Sequence, residues 1–236
     1  TGSALSVMGN HEFNAIAYAT FDKEQDDYLR RHTSRNNLQH ESFLKAYSDN
    51  RDDYKEAIEW FKTLPLWLDL KEIRVVHACW DTRAMARLKA SLNDENILTD
   101  RLIKTSSTYG SQEFRDVETI LKGKEVPLAQ GHAFIDNDGN EWPNIRIRWW
   151  DQNAVTYQSA FMGNPKAISH IPDDKIEGDH LIEYSHNMPP VFLGHYWMDG
   201  LPSPLADNIA CVDYSVAKKG GNLVAYRWDG EVTLKA

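Results

Sequence analysis

The stretch Ser6-Val7-Met8-Gly9-Asn10-His11-Glu12-Phe13-Asn14 carries an apolar run into a glycine and then presents a carboxamide, an imidazole and a carboxylate in immediate succession. Amide oxygens and imidazole nitrogens can hold cations, and an imidazole also exchanges a proton near neutral pH. Ala4, Leu5, Val7 and Met8 predict a short strand, Gly9 a strained turn, and residues 14–19 the first turns of a buried helix. That order puts Asn10 and His11 at the carboxyl end of a strand, where open α/β sheets bind their ligands. Two later blocks are also apolar strands that run into a histidine. One is Ile73-Arg74-Val75-Val76-His77-Ala78-Cys79-Trp80-Asp81, and the other is Pro190-Val191-Phe192-Leu193-Gly194-His195-Tyr196-Trp197.

Taken in order, Asn-His, a strand-end His, then Gly-His, the three blocks resemble the calcineurin-like metallophosphoesterases. The likeness is to the bacterial branch related to phosphoprotein phosphatases and diadenosine tetraphosphatases, because Gly194-His195-Tyr196-Trp197 lacks the second histidine of the Gly-His-x-His form. The resemblance implies that Asn10, His77 and His195 ligate one cation of a two-metal centre and that His11 protonates the leaving oxygen. It further implies hydrolysis of a phosphomonoester, on a phosphoprotein or a small molecule, or of a dinucleoside polyphosphate, with a hydroxide bridging the metals. Two cations about 3.5–4 Å apart lower the pKa of such a water and neutralise the phosphoryl oxygens. One amide oxygen with two imidazoles suits Mn, with Fe or Zn as alternatives, better than Ca or Mg.

The pattern also departs from that family, whose first metal is held by an Asp-x-His block and bridged by a Gly-Asp-x-x-Asp block, both upstream of Asn-His. Only nine residues precede Asn10, and neither block occurs later; Gly178-Asp179-His180 has neither the spacing nor a preceding strand. The chain by itself is therefore expected to be inactive, the missing segment being removed by proteolysis, disordered or held in another chain. An alternative function is a non-catalytic phosphate- or metal-binding module that keeps the fold without the first metal. The implied fold is a four-layer αββα sandwich of two mixed sheets, in the α/β (α+β) class, lacking its opening strand-helix unit.

With 236 residues, 42% of them apolar, the chain can bury a substantial core, and a single domain over residues 1–236 is expected. A formal charge of -9, from 35 acidic and 26 basic residues, argues against an extended nucleic-acid surface or anionic membrane attachment. It leaves room for a local basic pocket that takes one phosphate. Cys79 and Cys211 sit in apolar strand-like runs and read as reduced core thiols, which fits a cytoplasmic protein. No apolar run approaches the ~20 residues needed to span a bilayer.

Along the chain, residues 21–37 hold Asp26, Asp27, Arg30, Arg31 and Arg35, a solvated helix and loop with a functional basic cluster as the other reading. Helices are expected over residues 40–47 and 52–64. The second carries Tyr54, Ile58, Trp60 and Phe61 near one face, with Asp52 or Asp53 as its cap and Pro65 as its stop. Residues 66–70 and the strand of His77 should form an antiparallel hairpin. Helices follow over residues 84–90, 95–104 and 111–122, the last stopped by Gly123. Pro127 weakens the strand reading of residues 125–130, so His132 is not read as a ligand. Residues 136–140 form a polar hairpin turn. Ile145-Arg146-Ile147-Arg148 alternates, so one strand face is buried and the other presents Arg146 and Arg148, either to a substrate phosphate or as charged protection of an edge strand. Residues 152–188 read as an excursion over the site mouth, with His170, His180 and His186 on the surface. Three strands, over residues 208–214, 223–228 and 231–234, close the chain.

Overall fold

The computed structural model describes residues 3–135, 141–163, 165–177 and 181–235. These form a mixed α/β fold with seven α-helices and several small sheets among the described residues. None of those helices is long and apolar enough to cross a membrane. The chain falls into two compact units, residues 1–68, 75–77 and 82–121 in the first, and residues 69–74, 78–81 and 122–236 in the second.

In the first unit, residues 4–9 are not the expected strand. Met8 is fully buried and its amide donates to Pro65 O (2.8 Å), but no ladder forms and Leu5 stays exposed. Helix α1 (Asn10–Ala19) begins four residues before the expected start, because Glu12 reaches back to accept from the Gly9 amide at 3.1 Å. This is the carboxylate half of a capping box, and it satisfies a donor that the helix itself cannot. α1 buries Phe13, Ala15, Ile16, Ala17 and Tyr18. Residues 21–37, expected as helix and loop, instead open with a short hairpin of β1 (Phe21–Asp22) and β2 (Asp27–Tyr28). Helix α2 (Ser34–Ala46) follows, its start fixed by the Thr33 hydroxyl, which accepts from the Asn36 amide.

Helix α3 (Arg51–Lys62) packs against α1. Its cap is Asn50, which accepts from the Asp53 amide, so neither Asp52 nor Asp53 serves as expected. Ile58 and Phe61 point inward, whereas Trp60, two positions from Ile58, lies on the far side and is exposed. Strands β3 (Trp67–Asp69) and β4 (Arg74–Val76) are hydrogen-bonded neighbours, and Leu70 N donates to Ile73 O (2.9 Å) in the turn between them. Helices α4 (Thr82–Lys89), α5 (Asp100–Ser106) and α6 (Gln112–Lys122) complete the set. α5 starts five residues late because the Asn93 side chain accepts from the Glu95 and Ile97 amides and holds a turn there, leaving Thr99 to cap the helix. Arg87 grips the buried Asp116 with Nη2 and Nε (2.6 and 2.9 Å), tying α4 to α6.

In the second unit, Gly123 takes φ +92° and ends α6. The strands that follow are β5 (Glu125–Pro127), β6 (Phe134–Ile135), β7 (Glu141–Trp142) and β8 (Asn144–Arg146). β5 and β8 pair antiparallel with Val126 opposite Ile145, and Pro127 is tolerated because it closes the strand. β6 pairs with β7, while the turn expected at residues 136–140 lies outside the described residues. The excursion expected over residues 152–188 is in good part core. Helix α7 (Tyr157–Ala160) and the segments around it supply Tyr157, Phe161, Ile171 and Ile176 to a cluster with Val126, Ile145 and Ile147. Strands β9 (Val191–Leu193) and β10 (Ile209–Cys211) then pair in parallel, Val191 opposite Ile209. β11 (Asp213–Tyr214) and β12 (Asn222–Leu223) form a last hairpin. Beyond it the two expected strands are replaced by a turn in which the Glu231 carboxylate accepts from Tyr226 Oη (2.7 Å) and the Asp229 amide (2.8 Å).

Candidate metal and phosphate site

Asn10 is the first residue of α1 and His77 the first after β4. Though 67 residues apart in sequence, Asn10 Oδ1 and His77 Nε2 lie 2.9 Å from each other, so the Nε2–H tautomer of the ring donates to the amide oxygen. Gly9 makes this approach possible. Its φ of -100° is ordinary extended backbone, so no strained turn is present. A Cβ at that position would lie 2.5 Å from Glu12 Oε2, 3.1 Å from His77 Cε1 and 3.2 Å from His77 Nδ1. Two donors bound to one cation at about 2.1 Å stand about 3.0 Å apart in an octahedral site and about 3.4 Å in a tetrahedral one. The Asn10–His77 separation therefore fits two neighbouring ligands of a single ion. The amino end of α1 carries partial positive charge, which favours an anion beside Asn10 and opposes a cation there.

His11 is exposed on the first turn of α1. Glu12, the third polar residue of the block, is committed to the helix cap. The spacing of Gly9 and Glu12 was the signal in the sequence for where α1 begins, since a carboxylate three residues into the helix can accept from the amide that opens it.

His195 belongs to the second unit, two residues beyond β9. It has φ +71°, and Tyr196 N donates to Gly194 O at 2.9 Å across it, which makes His195 the centre of a γ-turn with positive φ. Such a turn is rare for a side-chain-bearing residue and costs about 1–3 kcal/mol, so its neighbours must hold it. Asp213 does this in part, accepting from the amides of Trp197 (3.3 Å) and Ser215 (3.1 Å). Tyr196 does the rest. It is buried, burial pushes its phenol well above the usual range, and the neutral hydroxyl donates to Ala78 O at 3.0 Å. Trp149 Nε1 reaches the same carbonyl at 3.1 Å.

The alternation at Arg146 and Arg148 is present, with Ile145 and Ile147 buried beneath them. Arg146 forms a cross-strand ion pair with Glu125 (3.1 Å), its registered partner on β5, and Arg148 is the exposed member of the two. His132, His170 and His186 are exposed, and His180 lies outside the described residues. Among the described residues, no three His, Cys, Asp or Glu side chains gather where they could hold a metal. Asp81, 4% exposed, pairs with Lys124 at 3.2 Å. Cys79 and Cys211 are buried free thiols, and burial pushes the Cys211 thiol up to about 11 and that of Cys79 well up. A comparison with protein-family models finds none that matches this chain, and a comparison with curated proteins finds no match either.

Proposed function

We propose that this chain is the metal-binding part of a metal-dependent phosphoesterase, with Asn10 and His77 as ligands of one divalent cation, Mn first and Fe or Zn as alternatives. The observation that carries this reading is the 2.9 Å approach of Asn10 Oδ1 to His77 Nε2, between residues that the family resemblance pairs as ligands. His195 enters as a third ligand through the resemblance of its Gly-His block alone. The αββα sandwich belongs to the same proposal. When bound, the metal pair of such an enzyme polarises the phosphoryl oxygens and acidifies water. The work of this chain is to position the phosphoryl group at the amino end of α1, where the helix favours an anion, and to keep on His11 the proton that leaves with the departing oxygen.

The test is Mn-dependent hydrolysis of an alkyl phosphate and a nitrophenyl phosphate by the full protein and by His11→Ala. Turnover of the alkyl ester should fall by about 10²–10⁴, that of the nitrophenyl ester much less, and bound Mn should not change. An equal loss on both esters would give His11 a structural role. A second reading, the non-catalytic phosphate- or metal-binding module, is favoured because Asp81 and Asp213, the carboxylates that could complete the metal centre, are engaged in an ion pair with Lys124 and in a turn. Bound Mn without hydrolysis of either ester would select it.

A further inference from the structure

Arg30, two residues beyond β2, turns back onto α1. Its amide donates to Ala17 O (3.0 Å), its Nη1 to Asn14 Oδ1 (3.3 Å), and its Nη2 to Gln39 Oε1 on α2 (2.6 Å). The guanidinium is half-buried, both of its side-chain hydrogen-bond partners are neutral amides, and the Glu118 carboxylate acts on it electrostatically. Five N–H donors held in a planar fork, with two of them clamped by amides, make a pre-positioned cation suited to a phosphate or carboxylate. Its placement is specific. Asn14 lies four residues after Asn10, so the two carboxamides share one face of α1 and their Cβ atoms stand about 5–6 Å apart. His11 flanks that face three residues before Asn14.

A second observation concerns the residue beside Gln39. His40, beside Gln39 on α2, is 8% exposed, and its Nε2 has no hydrogen-bond partner among the described residues. Its ring packs against those of Tyr18 and Phe43. Buried polar atoms are nearly always satisfied, so this ring nitrogen, one residue from the Gln39 clamp, calls for a partner that the described residues do not supply.

We infer that Arg30, clamped by Asn14 and Gln39 and backed by His40, binds a second anionic group of the substrate, one helical turn from the phosphoryl group seated at Asn10 and His77. This rests on the phosphoesterase reading for the first group only. A turn is about 5.4 Å along the axis, a distance that a substrate with two anionic groups spans and a lone phosphomonoester does not. The second group is a phosphoryl or a carboxylate, since both fit the guanidinium fork.

Two measurements on the full protein test the assignment. In calorimetry with inorganic tripolyphosphate and a chelator in place of metal, Arg30→Met should weaken binding at least tenfold, with Arg30→Lys between it and the parent. In steady-state kinetics with Mn, Arg30→Met should raise KM for tripolyphosphate or for 2-phosphoglycolate at least tenfold more than for nitrophenyl phosphate, and kcat should change less. The probe with the larger loss identifies the second group as phosphoryl or carboxylate. Should Arg30→Met melt early, Gln39→Leu, at an exposed position, should give a smaller loss of the same kind. Unchanged tripolyphosphate affinity together with equal KM effects on all substrates would overturn the assignment. Arg30-dependent binding in a protein that hydrolyses no ester would keep the anion site and remove the phosphoesterase reading, and hydrolysis indifferent to Arg30 would do the reverse.

Discussion

At Gly9 the backbone is extended, so glycine is needed there for space and not for conformation: a methyl group would meet the His77 ring and the Glu12 carboxylate. His195 is the opposite case, a side-chain-bearing residue held at φ +71° where glycine would be at ease. The sequence makes Asn10, His77 and His195 visible by residue type and context. It does not show that Glu12 is taken by the cap or that Arg146 is taken by Glu125, because those facts depend on where a helix starts and how two strands register. The cysteines were legible, since small apolar thiols within apolar runs are usually core. Burial raises their pKa, so less thiolate is present at any given pH than for a free thiol. With Cys211 at about 11, its thiolate should be about one part in a thousand at pH 8. A thiol reagent at pH 8 should therefore leave Cys79 and Cys211 untouched in the folded protein and label both once denaturant unfolds it. Rapid labelling of either in the native state would contradict the placement.

Among the elements, α4, α6 and the inward face of α3 were readable from helical periodicity and stop signals, because those helices carry their own caps and apolar stripes. Strands were less so. Residues 4–8 and 231–234 have strand composition but no ladder, since β propensity expresses itself only against a partner strand. Residues 152–188 lack periodicity because their core residues come from short irregular segments, and only the packed cluster reveals them. The end of α6 shows how an element boundary serves the site. Gly123 combines φ +92° with a gap in which a Cβ would lie 2.5 Å from Tyr196 Oη, the hydroxyl that ties the His195 turn to Ala78. Gly123→Ala should therefore cost about 2–4 kcal/mol, from left-handed strain of about 1–2 kcal/mol plus displacement of a buried ring. Urea unfolding measures this, and a loss below about 0.5 kcal/mol would show that Tyr196 moves aside freely.

For the molecule as a whole, a formal charge of -9 coexists with Arg30, His32 and His40 packed against residues of α1, a local cluster that net charge alone hides. Asn10, His11 and His77 lie in the first unit and His195 in the second. The account stands on the claim that Asn10 and His77 serve one cation. Crystals of the full protein soaked in Mn and measured at the Mn absorption edge test it directly. The expected result is an anomalous peak about 2.0–2.4 Å from both Asn10 Oδ1 and His77 Nε2, lost in His77→Ala crystals. The contradicting result is an intact Asn10–His77 hydrogen bond at saturating Mn with no peak beside it.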